Sequence, residues 1–85
     1  MKKISFYGNK NIIAENLKEL RYKKGLSQND LAAKLQTMNV NIDQQMISKI
    51  EKNKRQVTDF ELACISKCLS ITPNELMSFT KISFE

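Results

Sequence analysis

The sequence predicts a single all-α domain of five short helices. Apolar residues recur every three or four positions through most of the chain, which is the period of an α-helix. Residues that start helices and residues that end them alternate along the chain, and no strand-like run lies between them. A length of 85 residues is sufficient for one such domain with one modest core.

The first helix is expected to begin after Asn11, whose side chain is suited to an N-cap. Gly25 is expected to end it, because glycine adopts the left-handed conformation of a helix C-terminus without a steric penalty. The apolar face between these two positions consists of Ile13, Leu17 and Leu20.

The second and third helices are predicted to begin after Ser27 and Asp43, because both residue types are common N-caps. Helical spacing then indicates which side chains of each helix are buried. The buried stripe of the second helix consists of Leu31, Leu35 and Met38. The third helix contains Met46, Ile47 and Ile50, of which Ile47 and Ile50 are expected to point inward.

Two capping boxes predict the starts of the last two helices. Thr58 with Glu61 opens the fourth helix, and Thr72 with Glu75 opens the fifth, which also has Pro73 at its first position. The apolar residues that follow are Leu62, Ile65 and Leu69 in the fourth helix and Leu76 and Met77 in the fifth.

The charge of the chain is unevenly distributed. The net charge is +5, from 14 Lys and Arg against 9 Asp and Glu. Residues 1–58 contain twelve basic and five acidic side chains, a net charge of +7, whereas residues 59–85 contain two and four, a net charge of −2. A basic front favours a polyanionic partner, although an ordinary solvated lysine surface would give the same total.

The composition excludes several kinds of site. Without histidine, and with two cysteines, the chain lacks the residues for a four-ligand zinc site or a Ser-His or Cys-His nucleophile. No metal, cofactor or enzyme activity is therefore predicted. Cys64 and Cys68 share one face of the fourth helix but not at disulfide distance, so we interpret them as reduced thiols in or near the core.

The expected location is the cytoplasm. No apolar run approaches the roughly 20 residues that a membrane helix needs. The basic residues at the N-terminus are not followed by the apolar stretch of a signal peptide.

Four elements in a fixed order carry a family resemblance. They are Arg21 in the first helix, then Gly25-Leu26-Ser27-Gln28-Asn29-Asp30-Leu31-Ala32, then Gln44-Gln45-Met46-Ile47-Ser48-Lys49-Ile50-Glu51, then Lys52-Asn53-Lys54-Arg55. This order resembles the helix-turn-helix family of Cro and the lambdoid phage repressors, also called the Xre family, over about residues 12–77. The resemblance implies a lambda-repressor-like DNA-binding domain, in which the third helix, here called the reading helix, lies in the major groove.

The reading helix contains the candidates for base contact. Glutamine can bond an adenine edge bidentately, and a lysine one turn later on the same face can reach a guanine edge or a phosphate. On its own, a Gln-Gln pair would be interpreted as solvated helix surface, but the family context favours base contact. The candidates are Gln44, Gln45, Ser48 and Lys49.

The candidates for contact with the DNA backbone flank the reading helix. Gln28 matches the family's glutamine that binds a phosphate and supports the reading helix, and the backbone N–H groups that follow Ser27 favour an anion. The loop after the reading helix matches the family's backbone-contacting loop, with a solvated charge run as the alternative. Its residues are Lys52, Asn53, Lys54 and Arg55, and Asn53 replaces the usual glycine.

Two further features come from the comparison with the family pattern. The resemblance implies a largely buried ion pair between Arg21 and Glu51, on the first and third helices.

The link over residues 36–42 departs from the pattern, because it is about five residues longer than usual. The second helix is therefore expected to run one turn longer and to end at Asn39, with apolar side chains of the link, Val40 and Ile42, anchored in the core.

The predicted organisation is a helix-turn-helix domain at residues 11–78 between tails at residues 1–10 and 79–85. The tails share the tetrapeptide Lys-Ile-Ser-Phe, at 3–6 and 81–84, whose alternation is strand-like. Coincidence or loose packing of aromatic residues is the alternative to a two-stranded pairing. The chain is expected to dimerise, because one short helix alone contacts too few bases. The expected dimer surface consists of the fifth helix and the C-terminal tail.

The predicted function is that of a transcriptional regulator that binds specific sequences in double-stranded DNA. Repression is the preferred mode of regulation. It is expected to bind a pseudo-palindromic operator as a homodimer. Two alternatives remain open: an antitoxin that binds a toxin and its own promoter, and a helical protein-interaction module without DNA binding. The expected partners are DNA, a second copy of the chain and, in some of these roles, a protein such as a toxin or an anti-repressor.

Overall fold

The structure, a computed structural model, describes residues 10–77. Within them it contains five helices and no strand, which confirms the predicted all-α class. None of these helices combines the length and the hydrophobicity needed to cross a membrane. The helices are α1 (Ala14–Lys23), α2 (Gln28–Thr37), α3 (Gln44–Glu51), α4 (Asp59–Cys68) and α5 (Pro73–Leu76).

Four of the five helices begin at the predicted cap. In each case the N-cap side chain accepts a hydrogen bond from the backbone N–H three residues later, which satisfies a donor that has no partner within the helix. Such a cap contributes about 1 kcal/mol to the stability of its helix. The four caps are Ser27, Asp43, Thr58 and Thr72.

The start of α1 differs from the prediction. Ile13 occupies the N-cap without a side-chain hydrogen bond, so the assignment of Asn11 as the cap is wrong. The Asn11 side chain instead donates from Nδ2 to the carbonyl oxygens of Ile50, at 3.0 Å, and Arg55, at 2.9 Å. Its Nδ2 therefore connects the chain before α1 to the end of α3, while its Oδ1 accepts a hydrogen bond from the backbone N–H of Ile13 at 3.0 Å.

The link between α2 and α3 has the predicted shape. The last turn of α2 is followed by Met38 at the C-cap and by Asn39, whose positive φ of 63° reverses the chain. Val40 and Ile42 are then 3% and 0% exposed, so the link is anchored in the core. Asparagine tolerates this left-handed conformation better than most residues.

The core lies between the apolar faces of all five helices. α2 and α3 pack against each other, α1 packs on α3, α4 packs on α2, and α5 contacts α4 and α1. This arrangement buries the inner side of α3 and leaves its other side at the surface. The residues with at most 2% exposure include Ile13, Leu17, Leu31, Leu35, Ile42, Ile47, Ile50, Ile65, Leu69 and Leu76.

Candidate nucleic-acid interface

The reading helix α3 has one face in the core and one face in solvent. Ile47 and Ile50 are fully buried and fix the rotation of the helix about its axis. Gln45 and Lys49 are both exposed, and Ser48 is half-buried. Because residues four apart lie on the same side of an α-helix, Gln45 and Lys49 form one accessible polar face.

Gln44 has a different environment from Gln45, although both were predicted to contact bases. Gln44 is half-buried, and its Nε2 donates to Oε1 of Gln28 at the start of α2. Gln28 in turn donates from Nε2 to Oε1 of Glu51, at 3.0 Å. The structure thus places Gln44 between the reading helix and α2, with part of its amide engaged within the protein.

Arg21 and Glu51 form a bidentate pair between α1 and α3. The distance from Arg21 Nε to Glu51 Oε2 is 2.7 Å and that from Arg21 Nη2 to Glu51 Oε1 is 3.0 Å. The two side chains are only 5% and 4% exposed. Arg21 Nη1 also donates to the carbonyl oxygen of Leu26, and the hydrogen bond with Glu51 raises the pKa of Arg21 above its ordinary value.

These contacts make a continuous chain of side chains from the core to the reading face. Gln44 bonds Gln28, Gln28 bonds Glu51, and Glu51 bonds Arg21. Sequence reasoning had assigned Gln28 a supporting role but had not found its bond to Gln44. The sequence contains a signal for this bond, because a glutamine occupies the first position of both α2 and α3.

The loop after α3 presents lysines beside the reading face. Lys52 and Lys54 are exposed. Asn53, between them, has a φ of 61°, and its Oδ1 accepts hydrogen bonds from the backbone N–H groups of Lys10 and Asn11. The asparagine therefore both turns the chain and attaches the loop to the segment before α1.

Arg55 is the predicted backbone contact whose placement differs from that of the lysines. Its Nη1 and Nη2 each lie 3.0 Å from a carboxylate oxygen of Glu61 in the first turn of α4. The pair is partly exposed, and the hydrogen bond between the two groups lowers the pKa of Glu61. This geometry favours a structural role for Arg55, because its guanidinium is already engaged by a carboxylate.

An open groove of about 690 Å³ lies between α1, α2 and α3. Ser27 and Gln28 line it at the start of α2, where backbone N–H groups favour an anion, and Lys52 lines it from the loop after α3. Lys18 and Tyr22 of α1 also line it, and sequence reasoning missed both. The signal for Lys18 was its position three residues before Arg21, on the same side of α1.

Comparison with known families identifies this arrangement. A helix-turn-helix family model matches residues 17–76, which is most of the chain. The chain belongs to the helix-turn-helix family, of the Cro/C1 type. It is accordingly a DNA-binding transcriptional regulator, and the family predicted from the residues is confirmed. No curated protein matches the chain.

Solved structures support the same fold. The restriction-modification controller protein C.AhdI from Aeromonas hydrophila is 31% identical with a TM-score of 0.67, over 75% of this chain and 89% of that one. A hypothetical transcription factor, NHTF from Neisseria, is 21% identical with a TM-score of 0.68, over 78% of this chain and 70% of that one. The SinR protein in its complex with SinI is 23% identical with a TM-score of 0.68, over 86% of this chain and 67% of that one.

Proposed function

We propose that this regulator is a repressor that binds a pseudo-palindromic operator as a dimer, with α3 of each copy in the major groove. The observation that carries the proposal is the exposed face of Gln45 and Lys49 on a helix whose opposite face is fixed in the core. Side chains that read bases must project from a rigid element. A bidentate contact from Gln45 to adenine and a contact from Lys49 to guanine or phosphate fit this requirement.

The remaining polar groups of the interface have a supporting role in the proposal. Lys52, Lys54 and the start of α2 lie around the groove or beside α3, where they are suited to bind phosphates and to set the register of the protein on the duplex. Gln44 holds α3 against α2 through Gln28, so its contribution to base reading is smaller than that of Gln45.

The dimer is proposed from the size of the interface. α3 has eight residues, and a single short helix contacts few base pairs. Two copies on adjacent half-sites double the contacts. The predicted dimer surface includes α5 and the tail at residues 79–85, and that tail lies outside the described residues, as does the Lys-Ile-Ser-Phe pairing. Deletion of residues 79–85 is expected to give a folded monomer with much weaker operator affinity.

The test begins with selection of bound sequences from random duplexes, followed by affinity measurements at several salt concentrations. Gln45→Ala is expected to lose about 1–3 kcal/mol at one base position and to relax the preference there. Lys54→Ala is expected to weaken binding to all sequences equally and to reduce the salt slope by about one. Lys67→Ala, which removes the same charge from α4, is the matched control and is expected to change neither.

The proposal fails if Gln45→Ala and Lys54→Ala lose the same sequences by the same factor. The dimer part fails separately if sedimentation shows a full-length monomer at high micromolar concentration that still binds the operator tightly. Footprinting of bound DNA across the genome of the source organism would then identify the regulated genes.

A second candidate function is control of a restriction-modification gene pair. It is favoured by the 31% identity to C.AhdI, a controller of that kind, over 89% of the length of that protein. The selected operator distinguishes the two functions. Under the second candidate, the operator occurs upstream of neighbouring genes for a nuclease and a DNA methyltransferase, and under the first it occurs at other promoters.

A further inference from the structure

Two sulfur-containing side chains, Cys68 and Met38, are in contact at the edge of the core, and Cys64 lies one helical turn before Cys68. Sγ of Cys68, the last residue of α4, lies 3.4 Å from Sδ of Met38, which follows the last residue of α2. Cys64 lies one turn before Cys68 on α4 and is 9% exposed. Residues four apart on a helix have Cβ atoms about 5–6 Å apart, so both thiols face the same side.

The surroundings of the three sulfurs are apolar with one positive charge nearby. Burial is the main cause that raises the pKa of the Cys68 thiol, and the proximity of Cys64 raises it further. The positive charge of Lys34 lowers the same pKa. Lys34 lies on α2 one turn before Met38, the residue that follows α2, just as Cys64 lies one turn before Cys68 on α4. The contact between Met38 and Cys68 joins the ends of α2 and α4, which pack against each other.

Neither a disulfide nor a structural zinc site fits these sulfurs. Helix geometry holds residues four apart too far from each other for a disulfide without backbone movement. A structural zinc site requires four ligands, and within residues 10–77 no group of three or more His, Cys, Asp or Glu side chains could hold a metal ion. Methionine is a ligand of a different kind, because its thioether binds soft cations.

We propose that Cys64, Cys68 and Met38 bind one copper(I) ion. Two thiolates and one thioether are the soft ligands that select this ion over harder divalent cations. On binding, each thiol releases one proton and each sulfur forms a bond to copper, with no change in oxidation state. The complex then carries a single negative charge, which the ammonium group of Lys34 offsets.

The site would join two parts of the fold that belong to different elements. Met38 begins the link between α2 and α3, and the cysteines belong to α4. An ion bound at the native cluster stabilises the folded state, because the unfolded chain does not hold the three sulfurs together. The proposal is independent of DNA binding, so it can fail while the proposed repressor function stands.

The test is an anaerobic titration of the reduced, full-length protein with copper(I), in competition with a chromophoric copper(I) chelator. We expect one ion per chain, a higher unfolding temperature, and an X-ray absorption spectrum with three sulfur ligands. Cys64→Ala and Cys68→Ala should each weaken binding by more than the roughly 100-fold that loss of an outer-shell partner can cost. Met38→Leu should weaken it less, by about tenfold, because a neutral thioether is a weaker ligand than a thiolate.

The matched control is Met46→Leu. Met46 lies on α3, and its sulfur accepts a hydrogen bond from the backbone N–H of Asp43. It should bind copper(I) as the parent does. Affinities of the cysteine variants within twofold of the parent, equal affinities of Met38→Leu and Met46→Leu, or one ion shared by two chains would each overturn the proposal. If an alanine variant does not fold, Cys68→Ser and the near-isosteric Met38→Leu provide the same comparison.

Discussion

The two arginine–glutamate pairs of this protein have the same chemistry but different environments. Arg21 and Glu51 are 5% and 4% exposed and join α1 to α3, whereas Arg55 and Glu61 are 23% and 15% exposed and join a loop to the next helix. Each pair is bidentate. Burial makes the loss of one partner costly, because the other charge then remains in a medium that solvates it poorly.

The pairs also differ in what else depends on them. Glu51 accepts from Gln28 as well as from Arg21, and Gln28 accepts from Gln44 on the reading helix. Glu61 accepts a hydrogen bond from the backbone N–H of Thr58, the N-cap residue of its own helix. The buried pair is therefore connected to the DNA-binding surface, while the exposed pair completes a local capping arrangement.

The largest effect is expected from breaking the buried pair. Glu51→Gln should lower the free energy of unfolding by about 3–5 kcal/mol, because Arg21 is left buried without its counter-charge. Arg21→Lys should also lower it, because lysine cannot reproduce the bidentate contact with Glu51. Replacement of both residues, Arg21→Met with Glu51→Leu, should be tolerated. Chemical denaturation measures all three. Single variants as stable as the parent would show that the pair does not have the predicted energetic role.

A smaller effect is expected from removing the side chain that connects the buried pair to the reading helix. Gln28→Ala should cost about 1.5–3 kcal/mol, because one of its hydrogen bonds is to a charged group. It should also weaken discrimination between operators, since Gln44 loses its partner. Asn29→Ala, at the next and exposed position, is the control. An equal loss in both variants would contradict the connection.

The exposed pair should contribute less to stability. Arg55→Ala is expected to cost about 0.2–1 kcal/mol, in the range measured for solvent-accessible pairs. Because the guanidinium is engaged by Glu61, this variant should also reduce DNA affinity less than Lys54→Ala does. If Arg55→Ala loses as much DNA affinity as Lys54→Ala, Arg55 contacts the DNA backbone as Lys54 does.

The smallest effect is a dependence of stability on pH. The pKa of Glu61 is lower in the folded protein than its ordinary value of 4.5, mainly because of its hydrogen bond with Arg55. The ionised carboxylate therefore stabilises the fold fully above the ordinary pKa, and this contribution is lost as the pH falls through the lower, folded value. Thermal unfolding below about pH 4.5 should be less pH-dependent in Glu61→Gln than in the parent. The difference between the two proteins should become smaller when both carry Arg55→Ala, while the hydrogen bond from Thr58 to Glu61 remains.

Local signals in the sequence predicted most of the fold. Ser27, Asp43, Thr58 and Thr72 cap helices as expected, because a cap depends on residues within one turn of it. The family pattern, supplied by resemblance, indicated the Arg21–Glu51 pair, which the structure places together.

Sequence alone is least informative where a side chain has two competing uses. Asn11 was suited to a cap, but it bonds carbonyl groups 39 and 44 residues away. Arg55 was suited to a phosphate, but a carboxylate six residues later engages it. Gln44 was suited to a base, but it bonds a glutamine 16 residues earlier. Periodicity and spacing do not indicate which partner is closest in space, so these choices required the folded structure.

The anchored link between α2 and α3 has a consequence for how such domains tolerate insertions. Because Val40 and Ile42 are buried, the core sets the positions of α2 and α3, and the length of chain between them does not. Residues added at an exposed position of the link, such as Asn41, would lengthen only its surface part, where each doubling of loop length costs about 0.6 kcal/mol. The link is therefore a position at which evolution can add or remove residues, and acquire new side chains such as Met38, while the reading helix keeps its orientation.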